Sequence, residues 1–348
     1  MSVSESERLQ PASRRIASAN LPKYKQTQAW IRLRESWVGE CTRTVRKFGH
    51  EMTSWAIREP DVSPPFKQLL GSIAALGASS ADPVAETDSE TPIFLFSTGW
   101  RSGSTLLQRI LVTDPSLLIW GEPLGEMTIV SKLAEAMSQF ISPRNLRLWK
   151  EQADPASGSL STSWVANLYP PPQDFRLALR RLFDRWMAEP ARQRGFSRWG
   201  FKEVRFGAIE AGFLRWLYPN ARFVLISRHP YDCYRSLADA EWGEVYYRYP
   251  DLRVASAASF ARHWNRLAVT WSDLPAGFPS THIRYEDLLS RKVDFRQLES
   301  WLGIEIREGV ALSASVGGTA TRTRLAWYER LIIAQEAAAG MRLFEYSR

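Results

Sequence analysis

The chain has 348 residues, 45% hydrophobic and 24% charged, with a formal net charge of +8. Those proportions exclude a fibrous or wholly disordered protein and suit one α/β domain with insertions. The basic balance favours anionic partners, but the arginines are spread along the chain rather than gathered in a tract, which speaks against nucleic acid and for small phosphorylated molecules or a membrane surface.

In chain order, residues 1–90 read as a helical extension and linker. The start, "MSVSESERLQPASRR", is polar and lacks the apolar core of a signal peptide, so a reducing cytoplasmic location is expected. "YKQTQAWIRLRESWVGECTRTVRKFGHEMTSWAI" has apolar residues at helical spacing with basic residues between them, a pattern that predicts a helical arm able to touch a membrane surface peripherally. "GASSADPVAETDSETP" is a small, acidic linker. No apolar run is long enough to span a bilayer.

From Ile93 the pattern becomes strand, loop, helix, repeated, and residues 91–348 form the second expected domain. Strands are predicted in "IFLFST", "SLLIWGEP", "RWGFKEV", "ARFVLISRHP" and "STHIRYEDL", with helical stretches between them. The expected fold is therefore α/β, a central parallel sheet of about five strands with helices on both faces and ligands bound at the carboxyl ends of the strands. The segment from about 142 to 198 breaks the rhythm and is read as an acceptor-side insertion with one helix, "FRLALRRLFDRWM".

The first strand runs into "TGWRSGSTLL". Backbone N–H groups at a helix start carry partial positive charge and no intrahelical partner. Gly99 and Gly103 let the main chain turn tightly, Ser102, Ser104 and Thr105 add hydroxyl donors, and Arg101 adds a forked cation. Together they make an anion cradle. A nucleotide-kinase loop would place a lysine after its last glycine and an Asp at a nearby strand end for Mg²⁺. Here Ser104 and Arg228 occupy those places. Cys41 and Cys233 lack metal-ligand spacing and the four histidines are scattered, so no metal is expected. Arg228 follows the fourth strand, and Ser236 lies on the helix that Pro230 opens, so the two can meet on a second phosphate. Two anion sites on one sheet edge suit an adenosine phosphorylated at both ends.

"TGWRSGSTLL" resembles the 5′-phosphosulfate loop of sulfotransferases that use 3′-phosphoadenosine 5′-phosphosulfate (PAPS). "RFVLISRHPYDCYRSLAD" resembles their 3′-phosphate motif, and "HIRYEDLLSRKVDFRQLESWLGI" their late strand and helix, in the family's order. The resemblance covers about Thr91 to Leu302, with a tail to Glu345. It implies a P-loop-like sulfotransferase fold and transfer of a sulfuryl group from PAPS to a hydroxyl, leaving 3′,5′-ADP.

Glu122 directly follows the second strand, where glycan and tyrosylprotein sulfotransferases have a glutamate, so the resemblance makes it the general base. Small-molecule members place a histidine after the next strand, and "WGFKEVRFG" has none; Glu126 and Glu203 are the alternative carboxylates. Lys202 resembles the family lysine that, with Arg101, holds charge at the leaving phosphate. Tyr285 is expected to line the nucleotide site, and Arg322 and Arg324 to lie in a C-terminal loop that closes over it, although the tail "SVGGTATRTRLAWYERL" departs from the pattern of the cytosolic enzymes. The glutamate, the insertion and 15 tryptophans together favour a carbohydrate, polysaccharide or glycolipid acceptor. The rival readings are a P-loop kinase using ATP and a non-catalytic nucleotide- or glycan-binding module.

Overall fold

A computed structural model describes residues 23–56, 66–77, 90–122, 129–140, 172–239, 256–307 and 324–347. The chain divides into two compact units, Met1–His50 and Glu51–Arg348. The first contains most of α1 (Lys23–Ala56), which exposes Val38, Val45 and Phe48.

Five strands form one all-parallel sheet in the order β2-β3-β1-β4-β5: β1 (Ile93–Ser97), β2 (Leu117–Trp120), β3 (Arg198–Glu203), β4 (Arg222–Ser227) and β5 (Ser280–Arg284). All five fall where the hydrophobic runs predict them. Strands β1, β3 and β4 are covered on both faces and are almost wholly buried, which is why they read as continuous apolar runs. The edge strand β2 alternates buried and half-buried residues instead.

Alternation along β1 assigns its side chains to two cores. Phe94 and Phe96 face an aromatic core with Phe201, Phe223 and Trp199, on which α2 (Phe66–Gly77), α4 (Ile129–Phe140), α5 (Pro172–Phe183) and α7 (Ala208–Leu217) pack. Ile93 and Leu95 face the opposite core with α3 (Ser104–Leu111), β2, β5 and α11 (Phe295–Leu302). A third cluster joins α8 (Pro230–Ala238), α9 (Ala257–Ser272), α12 (Trp327–Glu336) and α13 (Ala338–Leu343) around Trp264.

The larger compact unit runs from Glu51: Leu69 of α2 is fully buried in the aromatic core, and Glu51 accepts the backbone N–H of Ala257 at 2.8 Å. In the 142–198 segment, α5 continues through a π-helical turn (Asp184–Ala188) into α6 (Glu189–Gln193), and Leu179, Phe183, Met187 and Ala191 fill the same core. This stretch is a structural layer of the domain; residues 141–171 lie outside the described residues. The tryptophans follow suit, with Trp100, Trp199, Trp216, Trp264 and Trp271 all buried. Their large rings serve packing at those positions rather than an acceptor platform.

Candidate active site

From β1 the chain leaves through α3 toward β2 on one side, and from its neighbour β4 through α8 toward β5 on the other. A crevice opens at such a reversal, outside the carboxyl ends of the two strands. Residues 98–103 and Arg228 lie at that point.

The loop is held in an unusual backbone conformation. Gly99, Arg101 and Gly103 all have positive φ, at 121°, 63° and 91°. Only the glycines adopt this without steric penalty. Gly103 is constrained a second time, since a methyl group there would sit 2.2 Å from Cδ2 of Tyr285. Ser97 Oγ donates to the carbonyl of Gly99 at 2.9 Å, which tightens the exit from the strand. Gly103 then caps α3 with no side-chain cap, which leaves the amides of Ser104 and Thr105 without an intrahelical partner. Thr98 Oγ1 and Ser102 Oγ are buried with no hydrogen-bond partner among the described residues. Unpaired buried hydroxyls are costly, so they mark a place for a polar ligand.

The Arg228 side chain reaches the main chain of Arg101 here, and the Arg101 side chain reaches Ser236. Arg228 Nη1 donates to the carbonyl of Arg101 at 3.1 Å, while Arg101 Nε donates to Ser236 Oγ at 3.0 Å. Arg228 and Ser236, expected to meet on one phosphate, thus both lie beside Arg101, which hydrogen-bonds the serine. The arginines and the serine form one cluster because α8 lies beside the loop. Tyr285, the first residue of α10 (Tyr285–Leu289), closes on Gly103 and carries the Arg228 guanidinium 4.4 Å from its ring centroid. Arg228 Nε is buried and also unpartnered. Ser104 is buried at the helix start and Thr105 is exposed. Arg324 stands exposed ahead of α12, and Arg322 and Glu126 lie outside the described residues.

One strand over from the loop, Lys202 pairs with Leu95 in register. Its Nζ lies 2.5 Å from Glu122 Oε1, and Arg205 Nη2 lies 3.6 Å from Glu122 Oε2. The ammonium is buried, whereas the Glu122 side chain keeps 32% of its surface exposed. Gln108 on α3 donates to the carbonyls of Ile119 and Trp120, at 2.8 and 3.3 Å, and so ties the end of β2 to the loop helix. Sequence reasoning missed Gln108 and Arg205.

Glu203 is a different kind of carboxylate. It is 1% exposed and takes both Arg205 Nε and Nη2, at 2.6 and 2.8 Å, together with the amide of Val204. Burial pushes its carboxyl above the usual range while the Arg205 hydrogen bonds pull it back. Both of its oxygens are thus engaged by Arg205. His263 is a third residue to which the sequence assigned no role. It is buried behind the loop, its ring tilted against Trp100 with the centroids 4.9 Å apart, and a methyl group at Gly99 would lie 3.7 Å from its ring.

A profile of the sulfotransferase family matches residues 92–308, more than half of the chain and all of the crevice. The chain belongs to the sulfotransferase family. Its chemistry is sulfuryl transfer, and the all-parallel five-stranded sheet is that of an α/β sulfotransferase domain. Solved structures similar to this sulfotransferase include one from Alicyclobacillus acidocaldarius, with 16% identity over 75% of this chain and 98% of that one and a TM-score of 0.38. Another is a sulfotransferase from Mycobacterium avium, with 17% identity over 81% and 84% of the two chains and a TM-score of 0.41. A sulfotransferase domain from the curacin biosynthetic pathway is 17% identical over 75% of this chain and 99% of that one, with a TM-score of 0.42. No functionally curated protein matches the sequence. Among the described residues no helix is long and apolar enough to cross a membrane, and no three metal-ligating side chains gather.

Proposed function

We propose that this sulfotransferase takes PAPS as donor and a hydroxyl of a carbohydrate, polysaccharide or glycolipid as acceptor. The observation that carries the donor assignment is the joined cluster of Arg101, Arg228 and Ser236 at the crevice, with buried hydroxyl and guanidinium donors left unpaired beside it. The turn at 98–103 would hold the 5′-phosphosulfate, and Arg228, Ser236 and Tyr285 the 3′-phosphate. Arg101 spans the two. A carbohydrate-type acceptor is supported by the resemblance around Glu122 alone, since the buried tryptophans have another use.

In the transfer, the bond from sulfur to the phosphate oxygen breaks as a bond from sulfur to the acceptor oxygen forms. The proton of the acceptor hydroxyl passes to Glu122, and charge grows on the leaving phosphate beside Lys202 and Arg101. The Lys202–Glu122 pair gives this a physical order. Without a donor, each of the two groups neutralises the other at 2.5 Å. An arriving phosphosulfate competes for the ammonium and leaves the carboxylate facing the acceptor, with Arg205 still beside it.

Calorimetry with 3′,5′-ADP and with ATP, both without metal, tests the donor assignment, and release of 3′,5′-ADP from PAPS with glycan, glycolipid and phenol acceptors tests the rest. Preference for ATP would point to the kinase reading. Tight 3′,5′-ADP binding without transfer to any acceptor would leave a non-catalytic binding module.

A further inference from the structure

Arg228 is flanked in sequence by two residues that the C-terminal segment grips. Before it, Ser227 Oγ is 2.9 Å from Tyr346 Oη and 2.8 Å from His282 Nε2. After it, the backbone N–H of His229 donates to Glu286 Oε1 at 2.9 Å, and Glu286 Oε2 accepts the hydroxyl of Tyr346 at 3.0 Å. The His229 ring is held as well. Its Nδ1 accepts from the amide of Tyr231 at 3.3 Å, so its Nε2 carries the proton and donates to the carbonyl of Ser347 at 2.9 Å. The Tyr346 ring is buried, with the Arg284 guanidinium 4.6 Å from its centroid and the His229 ring 5.3 Å away.

We infer that the C-terminal segment Phe344–Ser347 is a positioning element of the donor site, with the Tyr346 hydroxyl as the latch that fixes the Ser227–His229 turn and so aims Arg228. The hydroxyl reaches both neighbours of Arg228, one directly and one through Glu286. Glu286 adjoins Tyr285, whose ring carries the Arg228 guanidinium, so one short helix start fixes the backbone of the turn and the side chain that leaves it. A turn left loose would let the guanidinium swing, and the entropy of ordering it would then be charged to ligand binding. Tyr346 touches no reacting atom in this arrangement; it acts through Arg228. The inference rests on the reading of Arg228 as the 3′-phosphate arginine.

The test compares 3′,5′-ADP with adenosine 5′-monophosphate, which lacks the 3′-phosphate, by calorimetry on the full chain. Tyr346→Phe keeps the ring and its stacking partners and removes only the hydroxyl. It is expected to weaken 3′,5′-ADP roughly tenfold, the scale of one hydrogen-bonded link to a charged group, and to leave the monophosphate unchanged. Combined with Arg228→Ala it should add nothing further. Equal weakening of both nucleotides would reveal a merely structural residue and overturn the inference, as would no change in either. If Arg228→Ala abolishes the preference for 3′,5′-ADP while Tyr346→Phe retains it undiminished, the latch fails and the Arg228 reading survives. If Arg228→Ala retains the preference, the reading of the site itself fails. Should Tyr346→Phe not fold, Glu286→Gln interrupts the same path and carries the same comparison.

Discussion

The side chain of Arg228 donates a hydrogen bond to the main-chain carbonyl of Arg101, 3.1 Å away. Two arginines separated by more than a hundred residues therefore meet across adjacent strands, and the loop after β1 is braced by the end of β4. An anion that binds one of them is within the field of the other, although Arg101 is exposed and that field is open to screening by salt.

Replacing Arg228 by alanine should weaken 3′,5′-ADP by about 10- to 100-fold, the usual worth of charge-assisted contacts to a phosphate. The fold should persist, because the Arg228 carbonyl that accepts Trp264 Nε1 is main chain and remains. Calorimetry together with circular dichroism checks both halves. Unaltered affinity removes the second phosphate position.

For Glu122→Gln, turnover should fall by about 10²- to 10⁴-fold with donor affinity kept, because the amide cannot accept the acceptor's proton. Single-turnover release of 3′,5′-ADP reads this directly. A fully active variant would rule Glu122 out as the base; Glu203, bound on both oxygens, offers no ready substitute.

Gly103→Ala should abolish nucleotide binding and lower stability by about 1–3 kcal/mol, since its φ of 91° disfavours a side chain and the new methyl would collide with Tyr285. Thermal unfolding and 3′,5′-ADP calorimetry measure the two effects. Normal behaviour in both would mean the loop tolerates another conformation.

His263 supplies a pH dependence. Burial, and next the Arg266 guanidinium, hold its imidazole well below the ordinary 6.5. Arg266 donates to Nδ1, so Nε2 bears the proton of the neutral ring. Below about pH 6.5 the unfolded chain binds a proton that the folded chain refuses, so stability must decline as the pH falls through that value. Urea unfolding at pH 7.5, 6.5 and 5.5 should show this decline for the wild type and a shallower one for His263→Gln. Identical slopes would assign the acid sensitivity to other groups.

The sheet was legible because its three inner strands are buried on both faces and its loops carry the small residues that an anion requires. Lys202 and Glu122 were legible as strand-end charges; that they are bonded to each other was not, since side-chain pairing across a parallel sheet depends on strand order. The same holds for Ser236, which joins Arg101 because of where α8 lies. Tyr346 and Glu286 gave no local signal at all. Their roles come from 60- and 119-residue separations that only the closed fold makes short. The tryptophan count was silent on the acceptor, because composition does not distinguish a buried ring such as Trp199 from one presented to a sugar.

Strand β1 has both of its neighbours, β3 and β4, far downstream. While a ribosome makes the chain at about 5–20 residues per second, the wholly apolar Ile93–Ser97 must wait several seconds before Arg198–Glu203 emerges to pair with it. Truncations that stop ahead of Arg198 leave this strand with two open edges, and such fragments should be recovered as aggregates that need a chaperone during synthesis.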